Sequence, residues 1–159
     1  MDEILQLLAE EARLTPAQIA ERTGKSEPEV RKAIERLEAD GVIRRYKAVI
    51  DWARAGVERV YGFIEVRVSP QRGVGFDAVA ERIMDFPEVH SLYLMSGTYD
   101  LLVVVQGETM RDVAFFVAEK LAPLEHVLST ATHFVLKRYK VDGDVMEERA
   151  EVKRLPITP

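Results

Sequence analysis

The sequence predicts an α+β chain in two parts: a helical head over residues 1–51, finished by a wing, and a βαββαβ sandwich over residues 60–140. Three observations carry that prediction. Cap residues, proline and glycine mark out two short helices and a tight turn within residues 15–51. From Val60 the apolar period changes, so that Ile64, Val66 and Val68 share one face and Glu65 and Arg67 the other, as in a half-solvated strand. The elements then run strand, helix, strand, strand, helix, strand, the order of the ferredoxin-like split βαβ arrangement, an antiparallel sheet with both helices on one face.

Taken in order, residues 2–13 form a first helix whose Ile4, Leu5, Leu7 and Leu8 cover the next two. Thr15, Pro16 and Gln18 place a hydroxyl at an N-cap, proline at the first helical position and an amide three residues after the cap. That second helix stops at Gly24, and Ser26 and Glu29 cap a third. At about 100° per residue, Val30, Ala33, Ile34 and Leu37 lie on one stripe of the third helix, with Pro28, Arg31, Lys32 and Glu35 on the other and Arg36 at its edge. Ala20, Gly24 and Val30 sit at the offsets of a helix-turn-helix, in which a small residue lets the second helix cross the first closely. The same offsets fit an ordinary helical hairpin with a solvated face. After the glycine cap at Gly41, residues 44–51 read as a strand opening with Arg44, Arg45, Tyr46 and Lys47. Such a strand suits a wing along a phosphate backbone and equally the solvated side of a linker. Residues 52–59 are the expected linker.

In the second part, Ser69, Pro70 and Gly73 break the first strand. A helix over residues 75–84 spaces Phe76, Val79, Ala80 and Ile83 along one face and ends at Phe86-Pro87. Strands over residues 89–95 and 100–106 flank a turn of Ser96, Gly97, Thr98 and Tyr99. Thr109 and Asp112 form a capping box that opens a helix to Leu121, aligning Met110, Val113, Val117 and Leu121. A last strand is expected over residues 129–139, and the tail, residues 141–159, as a short strand or helix that then frays. The sheet face left bare needs a partner, and a second copy of the chain is the usual one.

Composition narrows the function classes. The 159 residues are 47% hydrophobic and 31% charged, with no cysteine, which excludes disulfides and thiolate chemistry. No apolar run reaches the length of a membrane span, and the start, Met1-Asp2-Glu3, is acidic where a secretory signal is basic, so a cytoplasmic protein without membrane contact is expected. The net charge of −5 argues against a protein that coats nucleic acid by charge alone. Within residues 22–51, eight basic residues stand against six acidic ones, so one head should bind weakly and two or more copies are needed. Gly73, Gly75 and Ala78 match G-x-G-x-x-A, but the strand before them alternates where a dinucleotide-binding strand is buried on both sides. His90, His126 and His133 lack metal-ligand spacing, and no nucleophile has a visible base. Neither a metal, a cofactor nor an enzyme activity is expected.

The segment from Ser26 to Val30 leading to Arg36-Leu37-Glu38, the run Gly41 to Tyr46, the turn Ser96-Gly97-Thr98-Tyr99-Asp100, and the ending Ser129-Thr130-Ala131-Thr132 with Val135-Leu136-Lys137 together resemble the Lrp/AsnC family of transcriptional regulators. The resemblance covers residues 2–139. It implies a winged helix-turn-helix that binds double-stranded DNA, and a RAM-type domain that senses a small effector, commonly an amino acid, and assembles into dimers and often tetramers or octamers. The outer face of the third helix then presents Pro28, Arg31, Lys32, Glu35 and Arg36 to the major groove, with Ser26 also at the DNA and Arg44, Arg45 and Lys47 on phosphates. By the resemblance, Gly97, Thr98, Tyr99 and Asp100 hold the effector, completed by Thr130 and Thr132 of a neighbouring chain. The residue chemistry agrees: an amino acid needs an acceptor for its ammonium, which Asp100 supplies, and donors for its carboxylate, which the N–H groups of Gly97, Thr98 and Tyr99 and a threonine hydroxyl supply. A plain hairpin turn uses the same residues. An architectural DNA-wrapping protein that ignores small molecules, and an amino-acid-binding module without DNA, are the alternative functions.

Overall fold

A computed structural model describes residues 3–69 and 75–146. The chain divides into two compact units, Met1–Ile50 and Asp51–Pro159.

The first unit holds three helices, α1 (Glu3–Glu10), α2 (Pro16–Thr23) and α3 (Glu27–Ala39). Local chemistry fixes α2 at both ends. The Thr15 side chain accepts from the Gln18 N–H at 3.3 Å while the Gln18 side chain accepts from the Thr15 N–H at 2.8 Å, and Gly24 takes a left-handed φ of 68° that costs glycine nothing. Ile4, Leu8, Leu14, Ile19, Ala20 and Val30 are buried together, with Leu7, Ala33, Ile34 and Ile43 packed against them. Of the apolar stripe expected on α3, Val30, Ala33 and Ile34 therefore face the core. The expected basic strand does not form: residues 44–50 carry no regular secondary structure and pair with no strand among the described residues. Aromatic and β-branched residues suit a strand, but a strand also needs a neighbouring edge to take its N–H and C=O groups.

The second unit is a four-stranded antiparallel sheet in the order β2-β3-β1-β4, built from β1 (Val60–Val68), β2 (Val89–Leu94), β3 (Leu101–Gly107) and β4 (Val127–Phe134). Helices α4 (Asp77–Met84) and α5 (Met110–Phe115) supply Val79, Ile83 and Val113 to a core that Ile64, Val66, Val68, Leu101, Val103 and Val105 complete from the sheet. The alternation in β1 thus puts Ile64, Val66 and Val68 inward, as expected. Gly62 lies on the same side, where a Cβ would stand 2.8 Å from Val113 Cγ1, so α5 approaches the sheet more closely than any side chain would allow.

Three expectations need correction here. The helix opened by Thr109 is α-helical only to Phe115 and continues as a π-helix, Phe116–Leu121. In an α-helix residues five apart diverge by about 140°, whereas the wider π turn brings both Phe116 and Leu121 onto the core, each at most 3% exposed. Met110, expected on that face, is instead 52% exposed. Finally, β4 ends at Phe134 rather than Tyr139, and the tail begins with a small hairpin, β5 (Lys140–Val141) and β6 (Asp144–Val145). Its Asp142-Gly143 turn has both φ values positive, 49° and 98°, as a two-residue hairpin loop requires. Residues 147–159 lie outside the described residues.

Candidate nucleic-acid interface and effector site

On the exposed side of α3, Pro28, Arg31, Lys32 and Glu35 line one shallow depression together with Glu27. These are the reading residues the sequence points to, and α3 brings four of them together because 28, 31, 32 and 35 are neighbours at the helical period. Arg36 lies off the depression and pairs one turn on with Asp40 at 3.4 Å. Arg31 pairs with Glu27 at 2.7 Å, an i,i+4 spacing visible in the sequence though not singled out there. Both pairs are exposed, which makes each weak and exchangeable for a base edge or phosphate. Lys32 meets no carboxylate among the described residues.

Ser26 caps α3, as the spacing to Glu29 predicts. Its N–H and hydroxyl both donate to one Glu29 carboxylate oxygen, at 2.9 and 2.6 Å, so it holds the start of α3. The Ser26 hydroxyl, followed by its N–H, keeps the Glu29 carboxyl below the usual carboxylate range. Arg44, Arg45 and Lys47 are exposed, and none pairs with an acid among the described residues. The unexpected residue is Tyr46, whose hydroxyl donates to Glu38 at 2.9 Å and ties the basic run back to α3. Partial burial of its ring and then that bond raise the Tyr46 hydroxyl above its ordinary value.

In the second unit, Gly97, Thr98, Tyr99 and Asp100 join β2 to β3. Gly97 has φ 145°, which favours glycine. Asp100 anchors the loop to the end of β1: its N–H donates to the Val66 carbonyl at 3.0 Å, and one carboxylate oxygen accepts from the buried Val68 N–H at 2.8 Å. The second carboxylate oxygen accepts no hydrogen bond among the described residues, and neither do the N–H groups of Gly97, Thr98 and Tyr99 donate one. Arg67, passed over in the sequence, donates from Nε to the Thr98 carbonyl at 2.9 Å and so sets a cation beside the loop. The alternation that turns Arg67 away from the core was the available signal.

Thr130 pairs with Val66 and Thr132 with Ile64, so both threonines lie on the helix-covered side of the edge strand β4. Asp100 and Thr130 therefore flank the same end of β1, while Thr132 sits farther along it. Among the described residues no group of three or more His, Cys, Asp or Glu is arranged to hold a metal ion. His133 Nε2 lies 3.3 Å from Glu65 Oε1 on the open sheet face, and His90 Nδ1 lies 3.0 Å from the Ser91 hydroxyl. No helix among the described residues is long and apolar enough to cross a membrane.

Comparison with known proteins agrees with both units. Residues 3–44 match a winged helix-turn-helix DNA-binding domain, and residues 62–145 match the Lrp/AsnC ligand binding domain. The chain is 51% identical over 158 residues to the HTH-type transcriptional regulator YugG of Bacillus subtilis, covering 99% of this chain and 95% of that one. It is 31% identical over 137 residues to the leucine-responsive regulatory protein of Rhizobium meliloti, covering 86% and 87%. Among solved structures, the transcriptional regulator NMB0573 of Neisseria meningitidis in complex with L-Met superposes with a TM-score of 0.72 at 27% identity, covering 89% of this chain and 93% of that one. With a helix-turn-helix domain and a ligand binding domain matched in this order along the chain, it belongs to the Lrp/AsnC family of transcriptional regulators, a family of DNA-binding proteins and not of enzymes.

Proposed function

We propose that this regulator binds specific DNA sites in the cytoplasm and that an amino acid, held at Gly97, Thr98, Tyr99 and Asp100, changes its assembly or its affinity for DNA. The supporting observation is the state of that loop. Among the described residues, three successive N–H groups and one carboxylate oxygen are left without partners beside Arg67, the donor and acceptor set that a zwitterion requires. The L-Met complex of the Neisseria meningitidis relative is consistent with an effector of this class. In this reading Thr130 and Thr132 act on an effector held by a neighbouring copy, which makes binding and assembly one equilibrium.

The open sheet face offers the surface for that assembly. It carries Phe63 and Tyr93, 38% and 52% exposed, around Leu102 and Val104. Dimers place two α3 helices about one turn of DNA apart, roughly 34 Å, or a multiple of it, and tetramers or octamers of such dimers extend the contact. An effector that binds one assembly better than another shifts the population by that difference in affinity and no more.

The test is fluorescence anisotropy on the DNA upstream of the protein's own gene, with excess random competitor, at two salt concentrations, with and without L-methionine and the other amino acids. Salt-sensitive binding that survives competitor and shifts with an amino acid is expected. Binding lost to competitor and indifferent to every amino acid would leave an architectural protein instead.

A further inference from the structure

Far from the 97–100 loop, the other end of β1 borders a second cleft. Asp51 organises its near wall: its side chain accepts from the Arg54 N–H at 3.2 Å, its carbonyl accepts from the Ala55 N–H at 3.1 Å, and the Val57 N–H returns to the Trp52 carbonyl at 2.9 Å. This turn presents Trp52, and the Arg59 guanidinium lies over the indole, 4.0 Å from its centroid. Across the cleft, beyond the end of β4, the Arg138 guanidinium lies over the Tyr61 ring at 4.7 Å. All four residues line a single concavity of about 640 Å³, whose apolar lining includes Val60, Val135 and Met146. That volume lies within the range of small-molecule sites, about 300–1,000 Å³.

The two arginines share a property. Each is held by the face of an aromatic ring, and neither meets a carboxylate among the described residues. A guanidinium held against an aromatic face keeps N–H donors for a ligand and loses part of its freedom before the ligand arrives. Two oriented guanidinium groups at one apolar cleft match a bidentate carboxylate on an apolar body. Glu58 lines the same cleft and opposes a second negative charge, which favours a monoanion over phosphate.

We propose that this cleft is a second ligand site, for an organic monocarboxylate with an apolar body, its carboxylate held by Arg59 and Arg138 and its body against Val60, Val135 and Met146. It is separate from the 97–100 loop: Tyr61 and Val68 are seven residues apart on β1, roughly 23 Å at about 3.3 Å per residue.

The chain's single tryptophan lines the cleft, so the site carries its own reporter. Titration of the full chain with hexanoate should change Trp52 emission saturably, and calorimetry should give the same affinity. Hexanamide, which keeps the body and removes the charge, should bind at least tenfold more weakly, as should hexanoate to the Arg59→Gln and Arg138→Gln variants by calorimetry. Arg138→Lys should fall between, because it keeps the charge and loses the fork. Equal binding of hexanamide, unchanged affinity in both glutamine variants, or no saturable binding of hexanoate would overturn the proposal. Acetate or inorganic phosphate binding as tightly as hexanoate would reduce the site to a general anion patch and overturn it as well.

Discussion

Replacing Gly62 by alanine tests how the sandwich is packed. The new Cβ would stand 2.8 Å from Val113 Cγ1 and 3.3 Å from Val105 Cγ2, and both valines are almost wholly buried, so neither can swing into solvent. Overpacking of this kind costs about 1–3 kcal/mol. Against it stands the roughly 0.5–1 kcal/mol by which alanine in a regular element is favoured over glycine. The net expectation is a loss of about 1–2 kcal/mol, or a Tm lower by about 5–10 °C for a unit of this size. Urea unfolding followed by Trp52 emission reads the second unit, to which that residue belongs. Val113→Ala should by itself cost about 2 kcal/mol through lost burial and the cavity it leaves, yet in the double variant it removes the obstructing methyl. The double variant should therefore be at least about 1 kcal/mol more stable than the sum of the singles predicts. Strict additivity, or a Gly62→Ala protein as stable as the parent, would refute the reasoning that α5 needs a glycine beneath it.

Asp100 separates folding from sensing. Asp100→Asn keeps an acceptor for the Val68 N–H and should unfold like the parent while losing the amino-acid response; Asp100→Ala also orphans that buried N–H and should cost about 1–3 kcal/mol. A full amino-acid response in Asp100→Asn would remove the carboxylate from the effector site. Arg44→Ala with Arg45→Ala should weaken binding to all DNA sequences alike and lower the slope of log K against log salt by about two; an unchanged slope in anisotropy titrations would take the basic run off the DNA. Glu29 is held below its ordinary value by Ser26, so its contribution is present above about pH 4.5 and is lost as pH falls through the depressed value. Glu29→Gln should therefore lower the Tm of the head near neutral pH, with the difference from the parent closing on acidification, as measured by circular dichroism.

Much of this architecture is written locally in the chain. Thr15 with Gln18, Ser26 with Glu29 and Thr109 with Asp112 each satisfy a helix start from three residues away, so the sequence is enough to see them. The inward set Ile64, Val66 and Val68 and the outward reading face of α3 follow from periodicity in the same way, and the order of elements restricts the sheet to few topologies.

What the tertiary structure decided was whatever depends on a distant neighbour. Residues 44–50 have the composition of a strand and, among the described residues, no edge to pair with. The run from Met110 to Leu121 has one apparent helical stripe, but fitting both Phe116 and Leu121 into the core widened its second half. Asp100, read as a charge for a ligand, spends one oxygen on Val68, 32 residues away, and Arg67 reaches the Thr98 carbonyl across 31. Arg59 and Arg138 become a pair only when the turn at Trp52 and the chain beyond β4 border one cleft. Caps and periodicity act within a turn or two of helix and are fixed by which residues adjoin. Strand partners, close approaches and unpaired donors are fixed by which segments the folded sheet brings side by side.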